Sequence, residues 1–117
     1  MKLKALVLAL ALIVLASSSA LAARPVTVHF FVIPAAMTDE KLHDLNTFLI
    51  NKAGGFTASR STGGDTGTLG KAYAPENLSY TVSAPKNLSK EIGAYLKKEL
   101  GLPKLFLLTW PAERLED

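Results

Sequence analysis

Residues 26–54 read VTVHFFVIPAAMTDEKLHDLNTFLINKAG, and the change of period inside this stretch decides the fold. Val26 to Ile33 is dense in β-branched and aromatic side chains and is closed by Pro34, which predicts a strand. Beyond it Thr38 offers an N-cap, and Asp39 and Glu40 place negative charge in the first turn. Leu42, Leu45, Leu49 and Ala53 then recur at helical spacing. Gly54 and Gly55 supply residues that tolerate a left-handed cap, so the helix is predicted to stop near Ala53.

The strand-then-helix order returns further along. Ser79 to Ala84 alternates Tyr80, Val82 and Ala84 against Ser79, Thr81 and Ser83, the period of a half-buried strand, and Pro85 ends it. Asn87 can cap a second helix carrying Leu88, Ile92, Leu96 and Leu100, with Lys97 and Lys98 in its last turn and Gly101 and Pro103 beyond. Lys104 to Trp110 reads as a final apolar strand before Pro111, followed by a polar tail, Ala112 to Asp117. Phe56 to Arg60 supplies a short second strand, and Ser61 to Lys71, rich in Gly, Ser and Thr without apolar periodicity, reads as a loop. The order β-α-β-β-α-β predicts an α+β fold, a ferredoxin-like sandwich with an antiparallel sheet and two helices on one face.

The layout of export signal, strand, T-D-E helix, G-G-F-T, glycine loop, E-N-L-S-Y strand and second helix resembles small bacterial α+β families of unknown function, over roughly residues 26–110. The resemblance implies a small exported domain and assigns no chemistry to any residue.

The amino-terminal segment points outward from the cell. Lys2 and Lys4 precede an apolar run from Ala5 to Ala16, and Ala20 and Ala22 stand at the −3 and −1 positions of a cleavage site, the pattern of a secretory signal peptide over residues 1–22. The run is shorter than the roughly 20 residues needed to span a bilayer, so no permanent membrane anchor is expected. The expected mature chain, 23–117, is a single ferredoxin-like domain in the bacterial periplasm or outside the cell. Losing the two leader lysines lowers the formal charge from +3 to nearly neutral, which argues against a nucleic-acid surface. The chain has no cysteine, so it folds by packing alone, and thiolate chemistry and cysteine-based metal sites are excluded.

Three motifs imitate known chemistry and fail on context. Asp65-Thr66-Gly67 is the aspartic-protease tripeptide, but Gly63 and Gly64 precede it where an apolar strand is needed to bury the carboxylate. Asp65 to Ala72, D-T-G-T-L-G-K-A, has an aspartate in place of the first glycine of a phosphate loop, an alanine in place of its hydroxyl, and no helix to follow. His29 and His43 are the only histidines, and strand alternation sends them to opposite sides of the sheet, so neither a metal nor another cofactor is expected.

The remaining feature is the sheet face away from the helices. If Val28, Phe30, Tyr80, Val82, Leu105 and Leu107 point to the helices, then His29, Phe31, Ile33, Phe106, Leu108 and Trp110 form an aromatic patch on the other side. The reading that follows is a non-enzymatic exported binding domain using this face for a homodimer or another protein partner. The alternative is a small periplasmic enzyme or small-molecule binder with a pocket between the face and loop 61–71, where Asp65 and Lys71 are candidate lining residues.

Overall fold

A computed structural model describes residues 21–63 and 74–116. Their elements are β1 (Ala22–Pro34), α1 (Asp39–Ala53), β2 (Thr57–Gly63), β3 (Ala74–Ala84), α2 (Ser89–Lys98) and β4 (Leu107–Glu116). The four strands form one sheet in the order β2-β3-β1-β4, in which β3 is antiparallel to both of its neighbours. This is the ferredoxin-like sandwich. By contacts the chain divides into two units, Val26–Ala112, which holds the core, and a second whose described residues are 21–25 and 113–116. Within the second unit, Arg114 and Glu116 form an ion pair at 3.2 Å, two residues apart on one side of the strand.

Local chemistry sets the ends of α1 as the sequence predicts. The Thr38 hydroxyl accepts from the Lys41 amide at 3.2 Å, and Gly54 takes φ 88°, a left-handed conformation that costs a glycine little. The second helix starts differently from expectation. Its N-cap position is Leu88, one residue later, while the Asn87 side chain still caps a first-turn donor by accepting from the Ser89 amide at 2.8 Å. Leu88, Ile92, Leu96 and Leu100 are all buried, as their spacing requires.

One core joins both helices to one sheet face. Leu45 and Leu49 from α1 and Ile92 and Leu96 from α2 pack with Phe31 and Ile33 of β1 and with Tyr80, Val82 and Ala84 of β3. Phe31 and Tyr80 are direct cross-strand partners, and their rings stack at 5.0 Å. The Tyr80 hydroxyl donates to Asn46 Oδ1 at 2.9 Å, so the ring's one polar atom is satisfied where it meets α1. Burial raises the Tyr80 phenol above its ordinary pKa.

All four strands have boundaries that differ from the sequence reading, and β1 begins at Ala22 rather than Val26. β2 runs to Gly63, so the expected loop loses Ser61 to Gly63, and the rest of loop 61–71 lies outside the described residues. β3 begins at Ala74 rather than Ser79. β4 begins at Leu107 and passes through Pro111 into the expected polar tail. Proline is tolerated there because β4 is an edge strand, where a missing amide donor breaks no ladder on the outer side. No helix among the described residues is long and apolar enough to cross a membrane, and the expected leader, residues 1–22, lies almost wholly outside them.

Candidate functional site: the open sheet face

Register, not composition, decides which side chains reach the open face. β1 and β3 pair His29 with Val82, Phe31 with Tyr80 and Ile33 with Leu78, and these rows point to the helices. His29, Phe31 and Ile33 are therefore buried core residues, correcting the expectation that they line the open face. Val28 and Phe30, expected in the core, take the open side together with Val32, and all three are half-buried. Val26, of the same parity, is buried outside the core cluster.

The other half of the expected patch lies where alternation puts it. Phe106, Leu108 and Trp110 are 54, 49 and 43 % exposed, while Leu105 and Leu107 pack against the core. Phe106 meets Phe30 edge to face at 6.3 Å, which fixes both rings on the same side of the sheet. The apolar half of the open face is thus built by β1 and β4.

The second half, on β2 and β3, has a different chemistry. Thr57 pairs with Thr81 and Ser59 with Ser79, and the Ser61 and Ser79 hydroxyls bond each other diagonally at 2.5 Å. With Ser83 and Asn77 of the same parity, these strands present hydroxyls and one amide. No described strand position on this face between residues 26 and 112 carries a charged side chain.

His29 is unavailable to a ligand because the fold uses both of its nitrogens. Nδ1 lies 3.1 Å from the Val82 carbonyl and Nε2 2.7 Å from the Leu88 amide, and the ring is fully buried. A carbonyl only accepts and an amide only donates, so the ring is neutral with its proton on Nδ1. It ties β1 to β3 and to the first turn of α2. The exposed His43 lies on α1, and no group of three or more metal-ligating side chains assembles among the described residues. Asp65 and Lys71, the loop candidates, lie outside the described residues.

The signal that would have found Val28, Phe30 and Val32 is the strand partner. Tyr80, Val82 and Ala84 alternate unambiguously against Ser and Thr, and pairing Phe31 with Tyr80 transfers that phase to β1.

No family model matches the chain, and no curated protein matches its sequence. Solved structures do resemble it in fold. The apo form of CPII from Thiomonas intermedia, a nitrogen regulatory PII-like protein, superposes with a TM-score of 0.54 at 14 % identity, covering 84 % of this chain and all (100 %) of its own. A candidate PII-like signaling protein from Thermus thermophilus aligns at 0.48 and 14 % identity, over 80 % of this chain and 91 % of its own. At that identity the first likeness shows a shared fold and no more.

Proposed function

We propose that this chain is an exported, non-enzymatic binding domain whose open sheet face is the binding surface. The observation that carries the reading is the exposure of Phe106, Leu108 and Trp110 beside the Phe30 ring. Soluble proteins rarely leave such a cluster in water without a partner. The sheet edges are poorer candidates. β2 carries Arg60 and a bulge between Ser61 and Gly63, and β4 carries Pro111, three devices that discourage strand addition. The fold shared with a PII-like regulatory protein is compatible with a binding role.

The test uses Trp110, the only tryptophan. In dilute solution the reading expects emission typical of a solvent-exposed indole with ready acrylamide quenching. A blue, quench-resistant emission from a dilute monomer would mean that the chain covers its own face, and the reading would fail. Export is tested separately by the intact mass of protein recovered from the periplasm, expected to begin at Ala23. A mass retaining residues 1–22 would refute cleavage.

A further inference from the structure

Among the described residues His29 is the one buried polar residue, and the binding reading above makes no use of it. We propose that it is an acid-release latch: a proton taken up at Nε2 breaks the bond from the Leu88 amide and lets the first turn of α2 leave the sheet. The proposal does not depend on the open face.

An imidazole nitrogen either carries a proton or offers a lone pair, never both. Nδ1 already donates to the Val82 carbonyl at 3.1 Å, so a second proton can go only to Nε2, which accepts the Leu88 amide at 2.7 Å. Two donors would then face each other. The ring has no exposed surface through which water could take over the bond.

No neighbouring charge stands ready to hold an imidazolium in place. Tyr80 is the only other titratable group buried among the described residues, and its hydroxyl already donates to Asn46. Every charged side chain described between residues 26 and 112 is exposed, including Asp44 on α1, Lys90 and Glu91 on α2, Arg60 on β2 and Glu76 on β3. Arg60 and Glu76 also stand in or beyond the Leu78 row, away from the Val82 row that holds His29. Relief comes only by parting the ring from the amide.

Of the ring's two partners, the Leu88 side yields. Val82 sits in a ladder that pairs β1 with β3 from Thr27 with Ala84 to Pro34 with Asn77, whereas Leu88 is the N-cap residue of α2, and helix ends fray first. The Leu88 side chain is buried, so release of this turn carries it toward water. An unfolded chain, free to take up a proton near the ordinary histidine value of about 6.5, binds more protons in mild acid than the latched one. Stability therefore falls as the pH falls through that range, and one coupled proton raises the unfolding constant by up to about tenfold per pH unit.

Urea unfolding of the mature chain between about pH 7 and pH 5 reads the effect, because histidine is the side chain that ordinarily changes charge there. His29 and His43 are the only two histidines. His43→Gln, an exposed position, should keep the whole acid loss. His29→Gln, whose amide oxygen can still accept from Leu88 but takes up no proton, should keep less than about twofold per pH unit. In the wild type the Leu88 amide should lose its protection from hydrogen exchange in acid ahead of the β1–β3 ladder. A flat profile, or an acid loss abolished by His43→Gln, would overturn the latch. Protection lost evenly over the ladder and α2 would overturn the release of the first turn. Should His29→Gln fail to fold, the His43→Gln profile and the exchange measurement still decide.

Discussion

Replacing His29 by phenylalanine keeps a ring in the core and removes the two hydrogen bonds that the imidazole supplies. In the wild type the Nδ1 proton goes to the Val82 carbonyl at 3.1 Å, and Nε2 accepts the Leu88 amide at 2.7 Å, with no exposed surface on the residue. The Leu88 amide belongs to the N-cap residue of α2, where the helix itself supplies no acceptor for it. Leaving a buried donor or acceptor unpaired costs about 1–3 kcal/mol, so His29→Phe, which leaves two, should lose about 2–6 kcal/mol. His29→Ala adds a cavity and should lose a further ~1–2 kcal/mol. Against a typical total of about 5–15 kcal/mol, the Phe variant forfeits a large share of the stability, and its melting temperature should fall by at least about 10 °C. Urea unfolding followed by far-ultraviolet circular dichroism gives the free energies, with an unchanged slope confirming that the native state is compared with like. Nitrogen-15 spectroscopy of the imidazole should find the proton on Nδ1. A Phe variant within about 0.5 kcal/mol of wild type would show that these bonds do not hold α2 to the sheet, and the reasoning would fail.

Two further outcomes test other parts of the structure. Thr38→Ala removes the hydroxyl that accepts the Lys41 amide and should cost about 0.5–2 kcal/mol by urea unfolding, whereas Thr47→Ala, exposed within the same helix, should cost little. In a spectrophotometric titration the Tyr80 and Tyr95 phenols should ionise above the ordinary 10.0, Tyr80 through burial and Tyr95 through burial and then the charges of Asp44 and Glu99. A pKa raised in the folded state means that these tyrosines contribute stability fully below about pH 10 and lose that contribution as the pH rises beyond it. Asp44→Asn should move the Tyr95 transition back toward the ordinary value, and an unmoved transition would refute the charge contribution.

The helices were the most legible part of the chain because their information is local. Thr38, the Leu45 and Leu49 spacing and Gly54 specify α1 within one stretch, and the structure follows them. Strand ends were less legible. Pro111 reads as a terminator until the sheet order makes β4 an edge, and Ala74 to Leu78 joins β3 only because β2 and β1 flank it. Phe106, Leu108 and Trp110 are exposed while Leu105 and Leu107 pack against the core, a division that alternation along this stretch makes legible.

What the sequence determined by itself was the order of elements and, in β3, the buried parity, because there one set is apolar and the other hydroxylated. It did not determine the parity of β1. Val28, Phe30 and Val32 are as hydrophobic as Phe31 and Ile33, and a lone histidine in the second set makes that set look like the outer one. The tertiary structure reversed the choice by giving His29 a donor and an acceptor from elements 53 and 59 residues away. A polar side chain costs little in the core once both its hydrogen-bonding atoms are paired, and no pattern within eight residues of strand can say whether partners so distant will be there.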